Sequence, residues 1–154
     1  NQAYPFVQNV IVALGFPDIL FQPDDAYSRI LTRLRAGKAD VVLGLFPTVQ
    51  HWKAGMVEFD ATGQVIQIIE KPRQSDLSYM WAIAVWKPRF TQFLHDLLHE
   101  YASRPVTTAE LPIGDVIQAG IDAGLRVEAE PFTTGSFLDV GTPDDLRRAI
   151  RDLT

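Results

Sequence analysis

Two short apolar runs, residues 10–14 (VIVAL) and 40–46 (DVVLGLF), flank one segment of helical periodicity, and this alternation restricts the fold more than any other feature of the chain. Runs of this length without polar alternation read as strands buried on both faces. The first is followed by Gly15, Phe16 and Pro17, which read as a loop. Pro23-Asp24-Asp25 then opens a helix, with an Asp placed as its cap. Ile30, Leu31 and Leu34 form its apolar face, and Gly37 ends it. Strand, helix, strand is the repeating unit of a parallel α/β sheet.

After Phe46 the rhythm changes. Residues 56–59 (MVEF) and 65–70 (VIQIIE), joined by Asp60-Ala61-Thr62-Gly63, read as a hairpin with a Gly-bearing turn. Residues 80–86 form another apolar run. Pro88 begins a helix whose apolar face includes Phe90, Phe93, Leu94, Leu97 and Leu98. Residues 111–123 read as a helix stopped by Gly124, residues 127–132 alternate as a strand, and residues 137–140 are short and extended. The last helix starts at Thr142-Pro143-Asp144-Asp145. Thr caps it, Pro fits its first turn, and two acids face the positive end of its dipole. The expected architecture is a single α/β domain over residues 1–154, Rossmann-like. It has a mixed, mostly parallel sheet flanked by helices and a small antiparallel insert.

Composition then narrows the partners. The 154 residues carry 14 basic against 19 acidic side chains, a net charge of −5, with no basic block or stripe. That disfavours a nucleic acid polymer as partner. Phosphates can still bind through locally placed Lys, Arg or backbone N–H groups. The absence of cysteine removes disulfides and thiolate metal sites. No stretch reaches the roughly 18 apolar residues of a membrane span. Residues 1–7 lack the basic-then-apolar order of a signal peptide. The expected location is cytoplasmic, away from membranes. The first residue is Asn, which fits a trimmed or partial chain.

Asp18 lies just beyond the first strand. Ligands of open α/β sheets bind beyond the carboxyl ends of strands, so a carboxylate there can hold a divalent metal or cap a turn. Asp139 ends a short apolar strand before a well-capped helix and carries the same two readings. Together they suit Mg²⁺, which takes one or two carboxylates plus substrate phosphate. Glu70-Lys71-Pro72 closes the hairpin. Lys71 offers charge to a phosphate and Glu70 offers acceptors to sugar hydroxyls, although the pair alone also reads as a surface ion pair. His95 and His99 share a helix face but lie in no HExxH pattern. Gly37-Lys38 is no P-loop, and Gly135-Ser136 is no nucleophile elbow. Trp52, Trp81 and Trp86 suit either stacking on a ligand or filling a core.

The order of these pieces carries a resemblance. Gly15-Phe-Pro-Asp18-Ile-Leu-Phe21 is followed by Ala39-Asp-Val-Val-Leu-Gly44 and Gly55-Met-Val-Glu-Phe-Asp60. Gly63-Gln-Val-Ile-Gln-Ile-Ile-Glu-Lys-Pro72 and Leu138-Asp-Val-Gly-Thr-Pro-Asp-Asp-Leu146 follow in turn. The chain resembles the sugar-1-phosphate nucleotidyltransferases, particularly glucose-1-phosphate thymidylyltransferases and their uridylyl relatives, over nearly its whole length. The resemblance implies an enzyme that uses Mg²⁺ to join an NTP and a sugar-1-phosphate into an NDP-sugar, releasing pyrophosphate. It implies catalytic and metal-binding roles for Asp18 and Asp139. Gly55 becomes the glycine approached by the sugar, Glu70 a sugar-hydroxyl ligand, and Lys71 the catalytic lysine on the sugar phosphate.

Two departures accompany it. Ala82 stands where the family usually has Gly, which is expected to narrow the sugar pocket. The family's opening Gly-rich loop with Gly-Thr-Arg-Leu, which cradles the triphosphate, is not in these residues. The chain is therefore expected to be the carboxy-terminal portion of a catalytic domain, carrying the sugar-phosphate and metal half and showing negligible turnover alone. Alternatives from other classes are a non-catalytic sugar-phosphate-binding or regulatory module, and an interaction domain. An exposed sheet edge makes a homo-oligomer, or pairing with another chain, possible for any of the three.

Overall fold

The computed structural model describes residues 2–103 and 111–152. The elements follow in the order α1 (Tyr4–Val7), β1 (Val12–Gly15), β2 (Ile19–Gln22), α2 (Ala26–Ala36), β3 (Val41–Pro47), β4 (Gly55–Phe59), β5 (Val65–Glu70), β6 (Tyr79–Trp86), α3 (Pro88–Ala102), α4 (Ile113–Asp122), β7 (Val127–Pro131), β8 (Ser136–Asp139) and α5 (Pro143–Asp152). A short 3₁₀ turn, His51–Lys53, precedes β4.

The main sheet runs β5-β4-β6-β3-β7, with β1 also on β6, and β2 pairs with β8 in a separate ribbon. Its eight-residue axis is β6, buried throughout except at Tyr79. On one side β6 pairs antiparallel with β3, from Val41↔Trp86 to Pro47↔Tyr79. Its other edge is divided. β1 takes Ile83 to Trp86, and β4 meets it at Met56↔Met80. By strand direction β1, β3, β4 and β7 agree, while β5 and β6 oppose them. The sheet is thus mixed, as expected, but its pairings are mostly antiparallel rather than mostly parallel, with β3–β7 the parallel one among the described residues, because β6 runs opposite to the strands it joins. The strand–helix–strand segment is nevertheless not a pair of neighbours, because β6 lies between β1 and β3.

Two apolar layers cover the sheet. One gathers Leu43, Leu45, Trp81, Trp86, Phe90 and Ile117 under α3 and α4. The other gathers Ile30, Leu34, Val42, Phe46, Ile83 and Phe132 under α2. β3 feeds both layers, which explains its continuous apolar run. β1 departs from expectation, because its residues alternate between half-buried and exposed. Among the described residues its edge away from β6 pairs with no strand, and Val10 and Ile11 remain exposed. β7 departs in the opposite way, with Val127, Glu128 and Ala129 buried in succession where alternation was expected. It pairs parallel with β3 at the end of the sheet order.

Local chemistry fixes the ends. Gly63 takes φ +84° in the hairpin turn, where Asp60 Oδ1 accepts hydrogen bonds from the Thr62 and Gln64 N–H groups. Thr142 Oγ1 accepts from the Asp145 N–H at 3.1 Å, capping α5 as its sequence anticipates. Asp25 precedes α2 without a side-chain cap bond.

Asp40, 6% exposed, clamps the start of β3 to the start of β7. Its N–H donates to the Arg126 carbonyl at 2.8 Å. Its Oδ2 accepts from the Arg126 N–H at 2.9 Å and from Arg89 Nη1 at 3.1 Å. Asp40→Ala is expected to lower unfolding free energy by about 2 kcal/mol in urea denaturation, since two donors lose their acceptor. Asp40→Asn, which keeps an acceptor, is expected to lose less than half of that.

Candidate functional site

The divided edge of β6 creates the site. β1 stops at Gly15↔Ile83 and β4 begins beside Met80, so the stretch at Trp81 and Ala82 faces neither register. A cleft of about 380 Å³ opens there. Its walls include Phe16, Asp18, Lys53, Gly55, Glu70, Lys71, Trp81, Phe137 and Asp139.

One wall is acidic. Asp18 sits in the turn between β1 and β2, and Asp139 ends β8. The β2–β8 ribbon registers Ile19 opposite Asp139, and the Val140 N–H donates to the Asp18 carbonyl at 2.8 Å. Residues 121 positions apart in sequence thereby meet. Gly141 donates its N–H to Asp139 Oδ1 at 2.8 Å. A Cβ on Gly141 would lie 3.0 Å from Asp139 Oδ1 and 3.1 Å from Asp18 Oδ2. Both carboxylates therefore border one small space that a side chain would fill. Two carboxylates around a gap are the donor set that Mg²⁺ takes when phosphate and water complete its shell. Among the described residues no group of three or more His, Asp and Glu is gathered for a metal.

The opposite wall comes from the hairpin. Gly55, the first residue of β4, pairs with Glu70, the last of β5. Lys71 follows with φ +44°, the one non-glycine residue of positive φ among the described residues, and its N–H donates to the Ala54 carbonyl at 3.0 Å. Such a conformation costs of order 1 kcal/mol and persists where its surroundings impose it. Here it turns the chain sharply at the cleft.

Glu70 is half-buried and tightly enclosed. A Cβ on Gly114, in the first turn of α4, would lie 1.7 Å from Glu70 Oε1, and one on Gly55 would lie 2.8 Å from the same atom. Burial raises the Glu70 pKa above the usual carboxylate range, and the Asp115 carboxylate raises it further. Hydrogen bonding to Trp81 and the charge of Lys71 pull it partly back.

All five residues singled out from sequence, Asp18, Gly55, Glu70, Lys71 and Asp139, line this one cleft. Trp81, open in sequence between stacking on a ligand and filling a core, borders both the core and the cleft. Two further residues at the site were missed. Lys53 adds a second lysine to the lining, its Nζ 3.8 Å from Asp145 Oδ2, and no local motif marks it. Gly114 looks like a helix weakness, and only the Glu70 side chain above it explains its lack of a Cβ. Ala82 corrects an expectation. Its methyl is fully buried in the α2 layer and does not line the cleft, so the residue that shapes the pocket is its neighbour Trp81. His95 and His99 lie away from the site. Their rings meet edge to face at 4.5 Å, and Tyr4 stacks on His95 at 3.7 Å.

The α/β sheet thus sets carboxylates and a Glu-Lys turn facing each other across a divided strand edge. The sequence matches the Nucleotidyl transferase family over residues 6–154, and the chain belongs to that family. Comparison with curated proteins finds no match. Solved structures share the fold. A Bacillus anthracis protein described as a glucose-1-phosphate thymidylyltransferase, in complex with a sucrose, is 22% identical with TM-score 0.75, covering 96% of this chain and 56% of that one. The inositol-1-phosphate CTP transferase of T. maritima is 18% identical with TM-score 0.74, covering 99% and 58%. UDP-glucose pyrophosphorylase from Acinetobacter baumannii is 19% identical with TM-score 0.72, covering 96% and 52%. The chain thus spans a little over half the length of each. No described helix is long and apolar enough to cross a membrane.

The raised Glu70 pKa has a consequence for stability. The folded chain holds this proton more tightly than the unfolded chain, so the contribution of Glu70 to stability is fully present below the ordinary glutamate pKa and is lost as pH rises through the higher folded value. Glu70→Gln is therefore expected to be more stable than the parent at neutral pH. The difference should shrink as pH falls below the ordinary glutamate range, and denaturation midpoints across pH measure it.

Proposed function

We propose that this chain carries the sugar-phosphate and metal half of a nucleotidyltransferase that condenses an NTP with a sugar-1-phosphate. The observation that supports it most is the convergence of Asp18 and Asp139 on one wall of a cleft whose other wall is Gly55, Glu70 and Lys71. In this reading Lys71 places its ammonium against the sugar phosphate, and Glu70 accepts hydrogen bonds from sugar hydroxyls. The bare Gly55 backbone lets the ring approach. Asp18 and Asp139 would hold Mg²⁺, which when bound neutralises charge on the phosphates and orients them.

The reaction is an in-line displacement. A sugar-phosphate oxygen forms a bond to the α-phosphorus of the NTP, and the bond from that phosphorus to the bridging oxygen breaks. Pyrophosphate leaves with the electron pair. Such transfer needs positioning and charge neutralisation more than covalent help from the protein, and the side chains of this cleft offer those two things.

Calorimetric titration with glucose 1-phosphate, with and without Mg²⁺, tests the reading. Binding is expected, with Lys71→Ala weakening it by about 10- to 100-fold, the effect of losing a charge-assisted contact. Asp139→Asn is expected to abolish any gain from Mg²⁺ while sparing metal-free binding. Failure of the parent chain to bind, or full retention by Lys71→Ala, overturns the proposal.

A further inference from the structure

Trp81 belongs to the core under α3 and α4 and to the wall of the cleft at once. It is 4% exposed, yet its side chain lines the cleft. Its indole ring lies 5.4 Å from the Phe16 ring at a 55° tilt, giving the cleft an aromatic flank. A Cβ on Gly55 would fall 2.5 Å from Trp81 Nε1 and 2.8 Å from Glu70 Oε1. The space left by that glycine is therefore bordered by both polar groups at once. Gly114 leaves the matching space on the far side of the carboxylate. Glu70 makes no ion pair among the described residues, and the indole Nε1 borders the same space as its carboxylate.

Resting on the reading of this cleft as a sugar-phosphate site, we infer that Trp81 is a positioning residue, whose indole N–H fixes Glu70 toward the sugar ring and so favours a phosphorylated sugar over free phosphate. An indole N–H suits this role because it only donates. It occupies one carboxylate lone pair and leaves the others to accept from hydroxyls. Without it the carboxylate would be held only by steric walls. The phosphate contacts are supplied elsewhere, by Lys71, so the preference for a sugar falls on the Glu70–Trp81 pair.

The charged groups around Glu70 are Asp115 from α4 and Lys71 next in sequence. β4 and β6 bring Gly55 and Trp81 against it, neither of which titrates in the ordinary range. Removing the indole donor takes away an influence that stabilises the Glu70 anion. The acid limb of sugar-phosphate binding should then move to higher pH.

The test compares the parent chain with Trp81→Phe, titrating each with glucose 1-phosphate and with inorganic phosphate across pH. Trp81→Phe is expected to weaken glucose 1-phosphate about tenfold, the loss of one donor to a charged group, to leave inorganic phosphate unchanged, and to shift the acid limb upward. In the parent chain the Trp81 indole proton resonance, identified by its loss in Trp81→Phe, should titrate with pH, and that titration should vanish in Glu70→Gln. This second readout needs no variant at Trp81 to remain active. Parent binding of glucose 1-phosphate with an unaffected Trp81→Phe, equal loss of both ligands, or an indole resonance indifferent to Glu70 overturns this inference alone. Absence of glucose 1-phosphate binding by the parent overturns the sugar-phosphate reading, and this inference with it.

Discussion

The antiparallel pairing of β3 with β6 runs the full length of both strands, interrupted once by an irregularity between Gly44 and Leu45. With one side of β6 fully occupied, every other contact of that strand must share its remaining edge. β1 and β4 each take one part of it. A strand pair normally continues until one partner ends, so dividing an edge between two strands leaves a notch where they fail to meet. Here the notch is the cleft. Loops leaving β1 and entering β4 reach it from opposite sides, which is why an acidic and a mixed wall face each other.

Electrostatics sharpens that arrangement. Asp18 and Asp139 border one small space, and Glu70 lines the opposite wall of the same cleft in a chain that is already net negative. Neighbouring carboxylates repel one another unless cations or hydrogen-bond donors intervene. The chain supplies partial relief through Lys53, Lys71, the Gly141 N–H and the Trp81 indole.

Much of the fold is legible from local pattern. The helices at 26–36, 88–102 and 113–122, the hairpin and the capped final helix follow from periodicity, turn residues and capping chemistry, which act within a few residues. The β2–β8 ribbon does not. Residues 19–22 look like a loop in isolation, and only pairing with Ser136–Asp139 makes them a strand. That long-range pairing brings Asp18 to Asp139, so each Asp alone looks like a cap. The placement of β6 between β1 and β3 is similarly non-local, and burial on both faces was wrongly expected for β1 because an apolar run does not reveal which neighbours cover it. Lys53 and Gly114 were missed because each has an ordinary reading, as a surface lysine and a helix glycine, and Trp81 could not be told from a core aromatic. Their significance comes from what stands opposite.

Lys71 shows what a site of this kind asks of its backbone. A glycine there would accept φ +44° without steric penalty, so conformational ease and positive charge cannot be had from the same residue. Sequence drift toward greater foldability would favour the glycine, and any demand for the ammonium would oppose it. Position 71 is thus a place where conformational ease and positive charge pull in opposite directions, and the chain carries the charge.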